Sequence, residues 1–246
     1  MRRIGAVEGQ LDWEEKDARV VWRGTAWFNP IGQPELRKQL LKVAKGKEWA
    51  DVQALNASNG LMIEDFCRYK YVVYAEGVTY SGRLPYHQAC ASVLLMAPLG
   101  WITTTALLLR PIWAGDLMGE VGGRRRGKEV RGALPTVSSY EDANAIYVDP
   151  DFSNLEGVVK FLDKHPEISK RIARNQRNLM VGGGYLSLAA ETCYWRALIR
   201  GWGEVAVVTE EWGSDVGVRY ETWLLNEVSK VRGGTRGKNE NGGGGG

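Results

Sequence analysis

Apolar positions in this chain recur with two periods, one suited to strands and one to helices, and the two alternate. The run Val20-Val21-Trp22 ends in a turn at Gly24 and reads as a short strand. Over 34–44 leucines recur at 36, 40 and 41, Pro34 suits a first helical turn and Gly46 lies beyond the end, which predicts a helix. Residues 49–55 read as another strand or sheet edge. The Tyr- and Val-rich run 69–75 is strand-like. A glycine-bearing loop then leads into a helix predicted over 82–91, followed by the apolar Val93-Leu94-Leu95-Met96. Strand, helix, apolar strand is a βαβ unit, so the fold class expected is α/β, with a Rossmann-like parallel sheet covered by helices.

Further along, 145–148 reads as a short strand. Ser153 and Glu156 are spaced as a capping box opening a helix that runs to about His165. Pro166 opens the next, with Ile168, Ile172 and Leu179 on one face and Gly182-Gly183-Gly184 as its stop. Ser187 and Glu191 begin a last helix reaching about Val207. Patterning fades after 210, and 232–246 is polar and glycine-rich, predicting a disordered tail. The organisation expected is one Rossmann-like domain over 1–208 and a C-terminal extension over 209–246.

Composition narrows the function. With 246 residues, 44% of them apolar, the chain can bury a real core. A net charge of +3 from 32 basic and 29 acidic residues lacks the basic excess of a dedicated nucleic-acid binder. Residues 84–109 contain no Lys, Arg, Asp or Glu, and a membrane span needs about 20 mainly apolar residues. Pro85, His87, Gln88, Pro98, Gly100 and three threonines interrupt the stretch, so a buried helix, a turn and a buried strand or helix are expected instead. The opening Met1-Arg2-Arg3 is followed by acidic residues, not by the apolar core of a targeting segment. Cys67, Cys90 and Cys193 allow one bridge, and the sequence does not choose the pair. Only two histidines are present, so no metal site is expected. Asn56-Ala57-Ser58 is a glycosylation sequon, relevant only to a chain that enters a secretory pathway.

The candidate chemistry sits after the predicted strands. Ser81 stands where a helix cap is expected and Arg83 in the first turn, an arrangement that suits a diphosphate. An ordinary cap with a solvated arginine is the competing reading. Glu76 ends the strand with a carboxylate able to accept bonds from sugar hydroxyls, and Gly77 permits close backbone approach. Arg23-Gly24-Thr25 offers a second guanidinium that could grip a pyrophosphate from the other side, against the alternative of a structural turn. The basic cluster Arg124, Arg125, Arg126, Lys128 and Arg131 reads as a solvated loop or as a docking surface for anions.

Several of these segments together resemble glycosyltransferase family 90, which includes fungal capsule-associated xylosyltransferases and animal protein O-glucosyltransferases. The resemblance rests on Asp65-Phe66-Cys67-Arg68-Tyr69-Lys70-Tyr71, Glu76-Gly77, Tyr80-Ser81-Gly82-Arg83-Leu84 and Cys90-Ala91-Ser92-Val93. Trp22-Arg23-Gly24-Thr25, Asp151-Phe152-Ser153-Asn154-Leu155-Glu156 and Cys193-Tyr194-Trp195 add to it. The middle of the chain resembles fungal members most, and 97–145 looks like an insertion. The resemblance implies a GT-B arrangement, of which this chain is the nucleotide-sugar-binding half. It implies inverting transfer from a UDP-sugar such as UDP-xylose or UDP-glucose to a hydroxyl of a glycan or protein. It further implies no metal or other cofactor, no nucleic-acid partner, and a place in the Golgi or ER lumen. Carried over by motif, the donor-binding residues are Arg23, Gly24, Thr25, Glu76, Gly77, Tyr80, Ser81, Gly82 and Arg83. The family's acceptor side and catalytic base lie in an upstream half, and Glu14, Glu15 and Asp17 do not match that motif, so no base is nominated. A non-catalytic anion-binding protein acting through the basic loop 124–131 is the alternative.

Overall fold

A computed structural model describes residues 1–30, 32–119, 134–207 and 222–223. In chain order the elements are α1 (Arg2–Glu8), β1 (Asp17–Gly24), α2 (Leu36–Ala44), β2 (Ala50–Ala54), β3 (Tyr69–Tyr74), α3 (Leu84–Gln88) and β4 (Val93–Met96). Then come β5 (Pro111–Trp113), α4 (Ala114–Leu117), β6 (Ala145–Tyr147), α5 (Leu155–Lys164), α6 (Pro166–Arg177) and α7 (Leu188–Val205). The chain forms two compact units, Met1–Tyr194 and Trp195–Gly246. Within the second, the described part of α7 has no buried residue.

The six strands form one sheet in the order β2-β1-β3-β4-β6-β5, and every neighbouring pair is parallel. This is the α/β Rossmann-like class that the alternating pattern predicts. From β1 the chain steps outward to β2, then returns past β1 to β3 and continues the other way. The order therefore reverses between β1 and β3, and their carboxyl ends diverge into a crevice where such sheets bind ligands. Both faces of the sheet are covered, which is why its strands read as nearly continuous apolar runs. Val20, Trp22, Tyr71, Val73, Val93 and Leu95 face the α2, α5 and α6 side, against Leu36, Leu40, Val158, Leu162 and Ile172. The alternate residues Tyr74, Leu94 and Met96 face Leu84, Leu99 and Tyr147 on the other side.

Two predicted helix starts are corrected. The helix expected over 82–91 is only Leu84–Gln88, with Arg83 at its N-cap and no side-chain cap. Pro85 sets its first turn, and its far end is tied down at once. Cys90 is bridged to Cys67, and the Ala91 N–H donates to the Glu8 carboxylate. The capping box of Ser153 and Glu156 does not form either; Asn154 is the N-cap of α5, and its side chain makes no capping bond but accepts from the Asp149 N–H (3.0 Å). The buried Phe152 takes a left-handed φ of 58°, which turns the chain so that the Ser153 hydroxyl donates back to Asp151 and Asp149. By contrast, Ser187 caps α7 as read, its hydroxyl accepting from the Ala190 N–H.

The charge-free stretch folds as α3, β4 and a 3₁₀ turn at Ala106–Leu108. Among the described residues no helix is long and apolar enough to cross a membrane. The bridge left open by the sequence is Cys67–Cys90, and Cys193 is free and exposed. The basic loop 124–131 and the tail 232–246 lie outside the described residues.

Candidate functional site

At the crevice between β1 and β3 the decisive side chain is one that the sequence pattern hides. Arg37 lies in the first turn of α2, a helix whose apolar face (Leu36, Leu40, Ala44) packs on the sheet. Its guanidinium is nearly buried, at 5% exposed, and lies over the Trp22 ring with 5.6 Å to the centroid. From there it spans the two strand ends. Nη1 donates to the Thr25 carbonyl beyond β1 (3.0 Å), while Nε donates to that of Glu76 (2.8 Å) and Nη2 to that of Ala75 (3.3 Å) beyond β3. The loop between β1 and α2 is held by the same residue, whose N–H donates to Asn29 Oδ1 (2.8 Å).

Arg83 meets Arg37 at the same crevice. It is half-buried, and Nη1 donates to the Arg23 carbonyl at the end of β1. Among the described residues, neither Arg37 nor Arg83 forms an ion pair with a carboxylate. Two cationic groups thus share one opening and are held by carbonyls and an aromatic face alone. Their electrostatics show it. Burial first, and then the charge of Arg83, press the Arg37 pKa down to about 10. Burial also lowers that of Arg83, which the nearby Tyr74 partly offsets. A bound anion would relieve both effects.

The other expected residues divide into those at this opening and those spent elsewhere. Ser81 is held by its backbone: its N–H donates to the Tyr74 hydroxyl (3.0 Å), which in turn donates to the Ser81 carbonyl (3.1 Å). Its own hydroxyl has no partner among the described residues, so it is presented and not used as a cap. Gly82 is exposed with open space where a Cβ would stand, and Tyr80 is exposed. Gly77 is buried, and a Cβ there would lie 3.4 Å from Arg37 Nη2, so glycine keeps the guanidinium's flank clear. Thr25 contributes the carbonyl already described.

Three residues do other work. Arg23 runs its guanidinium to β2: Nη2 to Asp51 Oδ1 (2.8 Å), Nη1 to the Asp51 and Trp22 carbonyls, and Nε to the Asn59 carbonyl. Four of its five donors are engaged inside the protein, so the second guanidinium beside Arg83 at the crevice is that of Arg37. Gly24 is required by packing, since a Cβ there would lie 2.5 Å from the Trp22 ring. The buried Glu76 carboxylate accepts from the N–H groups of Gly100 (2.7 Å) and Trp101 (3.0 Å), fixing the loop beyond β4. Its pKa is raised by burial, partly offset by those two bonds.

A buried imidazole underlies the site. His87 of α3 packs on Phe66 and edge-on to Tyr74, and neither ring nitrogen has a hydrogen-bond partner among the described residues. Burial, then the charge of Arg83, push its pKa down to about 3, so it is neutral beneath the two cations. As for metals, the one grouping of possible ligands among the described residues is Glu8, Cys67 and Cys90. The cysteines are bonded to each other and Glu8 pairs with the buried Lys16 (2.8 Å), so the trio does not suit an ion.

Known proteins match much of this chain. It is similar to proteins named O-glucosyltransferase rumi homolog from two mosquitoes. The match to that of Aedes aegypti is 24% identical over 202 residues, 78% of this chain and 43% of that protein. The match to that of Anopheles gambiae is 22% identical over 222 residues, 86% of this chain and 48% of that protein. The chain spans about half the length of the curated relatives it matches. A family model described as Glycosyl transferase family 90 matches residues 1–112, which carry α1 to β4 and every residue of the crevice discussed above. Over residues 1–112 the chain is therefore similar to glycosyltransferase family 90.

Proposed function

We propose that the β1/β3 crevice binds the diphosphate of a nucleotide sugar, and that the chain acts as the donor-binding part of an inverting glycosyltransferase. The observation that carries this reading is the pair Arg37 and Arg83, two guanidinium groups at the topological switch point with no carboxylate partner among the described residues. Arg83, half-buried and with four donors unused among the described residues, reaches the phosphate oxygens. Arg37, spanning the strand ends, adds charge and fixes the opening. The Ser81 hydroxyl and the N–H groups of Gly82 and Arg83 supply further donors. Gly77, Tyr80 and Thr25 form the rest of the wall.

In transfer, a hydroxyl of a glycan or protein attacks the anomeric carbon and negative charge grows on the leaving diphosphate. Fixed cations at that position stabilise the transition state more than the ground state. The family's donors, UDP-glucose or UDP-xylose, are the ligands proposed, with no metal required, because the two arginines provide the charge that a divalent ion would otherwise supply. No residue of this chain is nominated as the base that takes the acceptor proton. The Cys67–Cys90 bridge supports a lumenal, secretory-pathway location, since such bonds persist in oxidising compartments.

The test is thermal unfolding with and without UDP. A ligand at a hundred times its dissociation constant stabilises by about 2.7 kcal/mol. Wild type is expected to gain this, and Arg83→Ala to lose most of it while unfolding at nearly the wild-type temperature without ligand. An equal UDP effect in both proteins would remove Arg83 from the site.

A further inference from the structure

The loop between β2 and β3 carries the chain's one N-x-Ser/Thr sequon, at Asn56-Ala57-Ser58. Two asparagines three residues apart divide the work there. Asn59 faces the fold: its Nδ2 donates to the Ala54 carbonyl (2.8 Å) and to Gln53 Oε1 (3.1 Å), its Oδ1 accepts from the Asn56 N–H (2.8 Å), and its carbonyl accepts from Arg23. Asn56 faces solvent, as do Ala57 and Ser58. Its Oδ1 accepts from the Ser58 N–H (2.8 Å), the Ser58 hydroxyl (2.9 Å) and the Asn59 N–H (3.1 Å). Every bond of the Asn56 side chain falls on its oxygen. The amide nitrogen has no partner among the described residues and lies on an exposed turn that Asn59 and Arg23 hold rigid.

We propose that Asn56 is a site of N-linked glycosylation. The donor class is an oligosaccharide joined to a lipid diphosphate. Asn56 Nδ2 forms a bond to the anomeric carbon and gives up one amide proton to a base of the transferring enzyme. The bond from that carbon to the diphosphate oxygen breaks, and the diphosphate leaves with the electron pair. Three donors converging on Oδ1 draw electron density away from the carbonyl and hold the amide in one orientation. The Ser58 hydroxyl is one of them, which gives the sequon's third position its role. The glycan would stand beside β2, the edge strand of the sheet, where a bulky polar group blocks pairing with another chain.

The inference rests on the lumenal location proposed above, and one experiment separates the two. The full chain is directed through a eukaryotic secretory pathway; its gel mobility is compared before and after an asparagine-linked glycosidase, and the Cys67–Cys90 bridge is scored by thiol labelling. A mobility shift removed by the glycosidase, and absent from both Asn56→Gln and Ser58→Ala, is expected. A closed bridge with an unmodified Asn56 overturns the glycosylation while leaving the location standing. An open bridge without glycan overturns the location, and the glycosylation with it. Because Asn56 lies outside the crevice, Asn56→Gln is expected to respond to UDP as wild type does.

Discussion

Arg23 and Arg83 show how little an arginine's identity says until its neighbours are known. Both follow strands and both invite a phosphate. Asp51, on the adjoining strand, claims Arg23, whereas Arg83 finds only a carbonyl. Nothing in the sequence pairs residue 23 with residue 51, because parallel register is a long-range property. Arg37 escaped notice for a related reason: it stands at a polar position of an amphipathic helix, the ordinary place for a solvated charge. The one available signal was its place where a strand-to-helix loop enters its helix, as Arg83 also stands. His87 yields a prediction of its own. With a native pKa near 3 against an ordinary value of 6.5, the unfolded chain takes up a proton between those limits that the native protein refuses. Stability is therefore complete above pH 6.5 and falls on acidification toward pH 3, with a limiting slope of about 1.4 kcal/mol per pH unit from this group. Urea titrations at pH 7 and pH 5 measure it. A His87→Phe variant should lose that component, and an unchanged pH dependence would show that His87 is protonated without cost.

The elements that could be read from sequence are those with a clear local pattern: β1, α2, β2, β3, β4, β6, α5, α6 and α7 all lie in the segments where periodicity and breakers place them. What could not be read is set by distant contacts. α3 stops early because Cys90 is tethered to Cys67 across 23 positions, and β5, at three residues, carries no period at all. The tether has a measurable weight. Cys67 and Cys90 join the turn before β3 to the end of α3, under the apolar residues Ile4 and Val7 of α1. Closing a loop of that length removes about 3 kcal/mol of unfolded-chain entropy by the usual estimate. A double Cys67→Ser/Cys90→Ser variant should unfold at lower denaturant by that amount. Because α3 also positions Arg83, its UDP stabilisation should shrink as well. A variant with lowered stability but an undiminished UDP response would show that the bridge supports the fold and not the crevice.

The field that draws an anion to this protein has to be local, since 32 basic residues against 29 acidic ones leave little net charge to attract one from a distance. The sheet supplies the locality. The reversal of strand order between β1 and β3 marks one crevice, and the helices that follow these two strands each bring a guanidinium to it. Such a pair makes a prediction that neither arginine makes alone. Burial chiefly lowers the Arg37 pKa, and the charge of Arg83 adds to it, so the two cations repel in the free protein and a double-mutant cycle on stability should give an unfavourable coupling. With a diphosphate bound between them, each cation benefits from an anion the other helps to hold, and the coupling should turn favourable. Four proteins suffice: wild type, Arg37→Gln, Arg83→Gln and the double variant, each unfolded with and without UDP. Couplings between contacting groups run to roughly 0.5–3 kcal/mol, well above measurement error. Uridine, which brings no phosphate, should leave the unfavourable coupling as it was. If UDP fails to change the sign, the two arginines do not share an anion, and the crevice is a structural feature of the fold and not a donor site.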